Sequence, residues 1–240
     1  MSVWAVLAAA GRGERLGRVG DGAAGQGPAA PSNPDIPKAF ARLRGRPLLA
    51  ESLERLEGSE WVDAIVVVAP PGWEEPVILL AEELGCGKVV AAVAGGASRA
   101  ESVRIGVGEV GAGAAVILVH DAARPLVSND VIERLLAALN DGFEGAIPGL
   151  PLADTVKRVR GGMVVETLPR EELTAVQTPQ AFVAAALRQA VVGGGEATDC
   201  SSLVEARGGT VKVVGGDPRL VKVTTAADLA LVESWLDADA

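Results

Sequence analysis

Aromatic residues are scarce in this chain, making up 3% of its 240 residues, and tyrosine is absent. Positive charge is short as well: 22 lysines and arginines stand against 31 aspartates and glutamates, a net charge of −9. A nucleic-acid binder presents a basic surface and often stacking aromatics. These shortages exclude that class and leave basic residues near glycine turns to meet a small anionic ligand. Cysteine is limited to Cys86 and Cys200, without C-x-x-C or zinc-ligand spacing, so no disulfide framework is expected. No apolar run reaches the roughly 18–20 residues of a membrane helix. No basic region precedes Val3 as in a signal peptide, and a cytoplasmic location without membrane partners is expected. Apolar content, in contrast, is 49% and mean hydropathy is +0.30, which excludes disorder. The length suits one large α/β domain or two small ones.

The organising stretch is 3–17, V-W-A-V-L-A-A-A-G-R-G-E-R-L-G. An apolar run breaks into glycine and arginine, as when a buried strand opens into a phosphate-binding turn. Small residues at Ala8–Gly11 admit a ligand close to the main chain, with N–H groups turned to an anion. Arg12 and Arg15 offer charge to phosphoryl oxygens. Taken alone, the same pattern also suits a plain strand-to-helix turn. Residues 17–36 are rich in glycine, alanine and proline without periodicity, a long flexible loop that is either a lid or an insertion without chemistry. Lys38 follows it and, on spacing alone, is a surface lysine.

Helical spacing covers 47–58, 74–84, 99–110 and 128–139, the last with Ser128 as N-cap. Continuous apolar runs at 62–69 and 114–119, with another strand at 88–93, read as buried parallel strands. The alternation predicts a parallel α/β sheet with right-handed crossovers. Ligands then bind beyond the carboxyl ends of the strands, which selects the turns 8–15, 95–102 and 120–124. In the second, Ser98 and Glu101 fit a capping box, while Gly96 and Ser102 face the strand ends. In the third, His120 reads as a packed, hydrogen-bonded residue and Asp121 as a site residue for ribose or a metal–phosphate complex. Residues 154–168 alternate polar and apolar around Gly161-Gly162, a β-hairpin that is either a dimerisation arm or a surface flap. Gln177–Gln180 (Q-T-P-Q) precedes a helix through Val191, and Thr198 or Asp199 caps a short one. Residues 219–223 read as a strand with Lys222 mid-strand, and Thr225 with Asp228 caps the last helix.

The ordered set A-A-G-x-G-x-R, P-K, G-G-x-x-R-x-x-S, V-H-D-A-A-R-P, D-T, T-P-Q, T-D and K-V-T resembles the 2-C-methyl-D-erythritol 4-phosphate cytidylyltransferase family. The first motif is shared with many sugar-nucleotide transferases; 119–125 with 177–180 and 222–224 are much more specific. The resemblance implies a single α/β nucleotidyltransferase domain over 1–240, with a Rossmann-like, mostly parallel mixed sheet flanked by helices. It also implies a protruding β-arm at about 150–176 that joins a homodimer. It implies CMP transfer from CTP to 2-C-methyl-D-erythritol 4-phosphate with a divalent cation, Mg²⁺, held largely by the triphosphate. Arg15 and Lys38 become the catalytic pair. Arg170 and Lys222, with Asp154, Thr155, Thr178 and Thr198, position the polyol phosphate. Ala9, Ala10, Gly11, Gly96, Arg99, Ser102, Asp121 and Ala122 line the CTP pocket, Asp121 also standing as a candidate metal contact. Ala8, Ala97 and Cys200 depart from the usual pattern, as does the length of 17–36. A transferase for another polyol phosphate, such as ribitol 5-phosphate, and a non-catalytic nucleotide-binding dimer are the competing readings.

Overall fold

The computed structural model describes residues 1–11, 36–192 and 199–239. In chain order it contains β1 (Val3–Ala8), the short pair β2 (Arg42–Leu43) and β3 (Arg46–Pro47), α1 (Leu48–Glu57), β4 (Ala64–Ala69), α2 (Glu74–Glu83), β5 (Val89–Ala94) and α3 (Arg99–Glu109). There follow β6 (Val116–Asp121), α4 (Asn129–Asn140), β7 (Gly145–Pro151), β8 (Val156–Arg160), β9 (Met163–Leu168), β10 (Thr174–Val176) and β11 (Gln180–Val183). The chain closes with α5 (Ala184–Val192), α6 (Ser201–Glu205), β12 (Val211–Gly215) and α7 (Ala226–Ala238). The central sheet runs β10-β7-β11-β6-β1-β4-β5, with β12 on β7. β6, β1, β4 and β5 are mutually parallel, and β12 is parallel to β7. β11 runs antiparallel to both β6 and β7.

The continuous apolar runs follow from burial on both faces. Val3, Ala5 and Leu7 of β1, with Ile65, Val67, Val116 and Leu118, enter one core with α1, α2 and α4. Val6, Val66, Val68, Ile117 and Val119 enter the other with α3, α5 and α6. Alternate side chains therefore go to opposite cores, and a polar residue has no place until the strand ends. Gly106 lets α3 lie close on the sheet: a Cβ there would stand 2.6 Å from the γ-carbons of Val6 and Val68.

Several expectations are corrected. β6 continues through His120 and Asp121, which pair with Leu7 and Ala8 of β1, so both residues are on the strand end instead of in the turn after it. β11 occupies residues expected to lead directly into a helix. β7, with its prolines and glycines, and β12 were not anticipated. Residues 219–223 are not a strand; they form an irregular strap that leaves a turn at Asp217 and is tied by Val223 N–H to Ala123 O and by Lys222 to Asp121. Ser128 occupies the N-cap of α4 without a side-chain cap bond. The stretch 150–176 divides: Leu150, Pro151 and 174–176 belong to the central sheet, while β8 and β9 form a separate two-stranded sheet. That hairpin turns through Gly161 and Gly162, with φ of +55° and +78°, the left-handed pair of a tight β-turn.

Candidate active site

The carboxyl ends of β1, β4, β5 and β6 meet at one edge. The β1 turn is stitched down by Ala9 N–H to Val68 O at 2.8 Å, and Ala122 N–H to Ala8 O at 3.0 Å. Gly95 N–H reaches Ala69 O at 2.8 Å, and Gly96 N–H reaches Ser102 Oγ at 3.1 Å. The α3 N-terminus is capped by Ser98 Oγ, which accepts from Glu101 N–H at 3.1 Å. Glu101 returns its carboxylate to Ala97 N–H at 2.8 Å, one residue before the partner a standard capping box would choose.

Gly95, quoted within the G-G-x-x-R-x-x-S motif but given no role there, makes a tight contact at this edge. A Cβ there would lie 2.3 Å from Ala10 Cβ, 3.0 Å from Ser102 Oγ and 3.3 Å from Ala69 O. Gly95→Ala must therefore push the β1 turn outward. For CTP, the nucleotide that the sequence resemblance implies, binding to this variant is expected to weaken about tenfold or more, since displacements near an ångström suffice for such losses; an unchanged affinity would refute this role. Ser52, on the apolar face of α1, was missed. Its hydroxyl donates to Ala122 O at 3.1 Å and ties α1 to the β6 turn.

At the centre is Asp121, only 7% exposed. Arg99 Nε and Nη2 approach its Oδ1 at 3.2 and 3.1 Å, and Lys222 Nζ approaches Oδ2 at 2.6 Å. Burial opposes the negative charge, but Arg99 and Lys222 outweigh it and hold the carboxyl well below the ordinary carboxylate range. The same Arg99 reaches Cys200 Sγ at 3.7 Å. Burial pushes that thiol up to about 11, so it stays protonated beside the guanidinium.

His120 is fully buried. Its Nε2–H faces Arg124 O at 3.0 Å, and its Nδ1 faces Thr178 Oγ at 3.2 Å. A carbonyl only accepts, so Nε2 carries the proton and Thr178 donates to Nδ1. Thr178 Oγ in turn accepts from Asp121 N–H at 3.0 Å. Burial lowers the imidazole to about 4, consistent with a neutral packed histidine. The unfolded chain holds a proton on this ring below the ordinary value of 6.5, whereas the folded protein does not until about 4. Stability from this group is thus complete above the first value and lost as pH falls toward the second, by about 3 kcal/mol in all. Urea midpoints between pH 7 and 4 should show this slope, and His120→Asn should flatten it; an equal slope in both proteins would refute the assignment.

Lys38 opens a single 3₁₀ turn, Lys38–Phe40, whose Ala39 is buried. Phe40 packs on Trp73 with ring centroids 4.4 Å apart. Trp73 follows β4, so this contact anchors Lys38 to the carboxyl edge. Ala9 and Ala122 are buried there, Ala10 half-buried and Gly11 exposed. The other candidates are less concentrated. Arg170 bonds Ala153 O and pairs with Glu171 at the base of the hairpin, and Asp154 and Thr155 are exposed beside it. These contacts do not bring Arg170 to Lys222. Arg12, Arg15, Thr198 and 17–35 of the long loop lie outside the described residues. As for a metal, both carboxylate oxygens of Asp121 are engaged by cations. Among the described residues no group of three or more His, Cys, Asp or Glu side chains is placed to hold an ion. Among the described residues the donors do not form a protein-built metal site.

The profile of the 2-C-methyl-D-erythritol 4-phosphate cytidylyltransferase family matches residues 22–238. Proteins of that name from Frankia casuarinae and Saccharopolyspora erythraea are 43% and 41% identical, each over 98% of this chain and over 81% and 100% of their own lengths. The solved 2-C-methyl-D-erythritol 4-phosphate cytidylyltransferase of Thermus thermophilus aligns over 99% of this chain and 98% of its own, with TM-score 0.73 and 32% identity. The 4-diphosphocytidyl-2C-methyl-D-erythritol synthase structure from Anaerococcus prevotii shares the fold, with TM-score 0.79 and 24% identity over 98% of both chains. The helix-covered sheet, with its charged residues gathered at the carboxyl ends, is that of a nucleotidyltransferase. The chain belongs to the 2-C-methyl-D-erythritol 4-phosphate cytidylyltransferase family.

Proposed function

We propose that the protein transfers CMP from CTP to 2-C-methyl-D-erythritol 4-phosphate in isoprenoid biosynthesis, releasing pyrophosphate and 4-diphosphocytidyl-2-C-methyl-D-erythritol. The observation that carries this is the Arg99–Asp121–Lys222 cluster beside the glycine turns, within a chain whose family is named for the reaction. A phosphate oxygen of the acceptor attacks the α-phosphorus. The bond from that phosphorus to its bridging oxygen breaks, and the electron pair leaves on pyrophosphate. A phosphate dianion needs no general base, which agrees with a neutral, buried His120.

Two polyanions repel, so cations must offset charge on the approaching and departing oxygens. Lys38 and Arg15 take that role at the triphosphate. The turns at Ala9–Gly11 and Gly95–Ser102, with Asp121 and Ala122, receive the nucleotide. Lys222 receives the acceptor phosphate, with Arg170, Thr155 and Thr198 to position it and Asp154 for the polyol hydroxyls; Thr178, whose hydroxyl is engaged by His120 and by Asp121 N–H, supports the site from beneath. Mg²⁺ enters with the triphosphate, since the described residues build no site of their own. The hairpin supports a homodimer arm, because Met163, Val164 and Val165 on it are 71%, 59% and 52% exposed. The enzyme works in the cytoplasm on this reading; no described helix is long and apolar enough to cross a membrane.

Pyrophosphate release from CTP and Mg²⁺ with a panel of polyol phosphates tests the reading. Release with methylerythritol phosphate is expected. Release only with ribitol 5-phosphate would move the substrate assignment, and release with none would leave a non-catalytic module.

A further inference from the structure

Lys222 is carried by a segment without regular secondary structure, and the way that segment is held is specific. It starts at Gly216, whose N–H donates to Gly149 O at 2.9 Å. Asp217 then folds a tight turn: its carbonyl accepts from Leu220 N–H at 2.9 Å and its Oδ1 from Arg219 N–H at 2.8 Å. The side chain of Gln177 brackets this turn. Its Nε2 donates to Asp217 O at 2.8 Å, and its Oε1 accepts from Asp217 N–H at 3.0 Å. Gln177 itself is 5% exposed and is fixed to the sheet by its own N–H on Pro148 O at 2.8 Å. Gly216 is required for the approach, since a Cβ there would lie 2.5 Å from Gln177 Oε1 and 3.0 Å from Gly149 O. Farther along, Arg124 Nη1 donates to Leu220 O at 2.5 Å, and Val223 N–H donates to Ala123 O at 2.8 Å. Leu220 and Val223 are fully buried pegs on either side of Lys222.

We propose that Gln177 is a positioning residue for the acceptor phosphate: its two-bond bracket on Asp217 sets the strap from which Lys222 reaches the site. This rests on the reading that Lys222 receives that phosphate. A bidentate amide-to-backbone bracket fixes both distance and orientation of the turn, five residues before the ammonium. Without it, Asp217 N–H loses its partner and Asp217 O keeps only the bond within the turn; between the Gly216 bond to Gly149 and the peg at Leu220 the strap is then held only by its own turn and by the surface pair of Arg219 with Asp239. Lys222 retains its charge but samples more positions. The cost then falls on the acceptor, whose phosphate must order it, and not on CTP, which is held by turns from other strands.

The test is steady-state kinetics of the full chain against both substrates for Gln177→Leu, Gln177→Glu, Lys222→Ala and the double variant Gln177→Leu/Lys222→Ala, with melting temperatures alongside. Gln177→Leu is expected to raise the KM of methylerythritol phosphate about tenfold and to leave that of CTP within about twofold. On the Lys222→Ala background the same change should add less than about twofold, because the bracket acts through the ammonium. Gln177→Glu keeps the acceptor for Asp217 N–H and loses the donor to its carbonyl. It should show a smaller rise of the same kind, and it carries the test if the leucine variant does not fold. An acceptor KM unchanged in both Gln177 variants, a parallel loss for both substrates, or a full effect on the Lys222→Ala background would each overturn the positioning role. If Lys222→Ala itself leaves the acceptor KM unchanged, the role given to Lys222 fails and the bracket's role with it. A raised KM in Lys222→Ala with none in Gln177→Leu overturns the bracket alone.

Discussion

Lys38→Ala is expected to lower turnover by about three orders of magnitude, the scale on which single charge-stabilising groups act in phosphoryl transfer, while the protein remains folded. The expectation of an intact fold comes from what holds this turn. Phe40 N–H bonds Pro37 O at 2.8 Å and Ala41 N–H bonds Lys38 O at 3.0 Å, both through the main chain. Ala39 is buried and Phe40 packs against Trp73 with the rings tilted. None of these requires the ε-ammonium. In the proposed role the ammonium offsets charge developing on the departing pyrophosphate, and an alanine would leave that charge uncompensated only once the P–O bond lengthens. The loss should therefore appear in kcat more than in either KM. Lys38→Arg should recover little, because a planar fork cannot replace a compact ammonium without moving the anchored turn. Single-turnover measurement of pyrophosphate release, with circular dichroism on the same sample, reads both outcomes. A folded alanine variant at near-normal rate would mean that another residue meets the triphosphate.

Lys38 also marks where the sequence was legible and where it was not. The strands buried on both faces, β4 and β6 above all, declare themselves as unbroken β-branched runs because neither face admits a polar residue. The carboxyl-edge rule then locates the turns without any coordinates. β7 was hidden for the opposite reason. Its sequence, G-A-I-P-G-L-P, carries the residues of a loop, and only its neighbours explain them. A Cβ at Gly145 would stand 2.9 Å from Phe182, and one at Gly149 would stand 2.4 Å from Thr174 Oγ. The strand is glycine-rich because β10 and β11 crowd it, which is information held by other parts of the chain.

The end of β6 illustrates a smaller failure. His120 and Asp121 are polar, so a pattern of apolar residues stops at Val119, yet the ladder to β1 continues for both. The strap at 219–223 failed in the other direction. Leu220 and Val223 look like strand residues because they are buried, but their spacing of three belongs to pegs in different cores. Leu220 packs with the α1, α2 and α4 side of the sheet and Val223 with α7. For the site, the residue types were legible as motifs, whereas the convergence of Arg99 and Lys222 on Asp121 was not. Lys222 is 101 positions from Asp121 in the chain, and no periodicity reports so distant an encounter. Gln177 was quoted with its motif but given no role, and Ser52 was passed over, because each acts on main-chain atoms, which leave no trace in a pattern of side chains.

Asp121→Asn is expected to have the second large effect, on stability and on catalysis together. The amide keeps the shape and one oxygen for Arg99, but it removes the negative charge that Arg99 and Lys222 share. Breaking a buried pair by neutralising one partner ordinarily costs about 3–5 kcal/mol. The low end is expected here, because the Lys222 side chain is 39% exposed and can turn toward water. The pH dependence supplies the internal control. Because the folded carboxyl lies below its ordinary value of 3.8, its contribution is present above that value and is lost as pH falls through it. This window lies below that of His120. Denaturation midpoints of Asp121→Asn should therefore lose the steep acid limb below pH 4 and retain the slope between neutrality and pH 4 that His120 supplies. In catalysis the change acts on the nucleotide contact proposed for Asp121 and, at the acceptor, through Lys222. A phosphate bound by this lysine competes with Asp121 for the same ammonium, so the carboxylate both aims the side chain and weakens its hold on the ligand. Removing it should tighten binding of inorganic phosphate while lowering kcat by about 100-fold, since the acceptor is then held without being aimed. Looser phosphate binding together with an unchanged acid limb would show that Asp121 neither aims Lys222 nor bears the charge assigned to it.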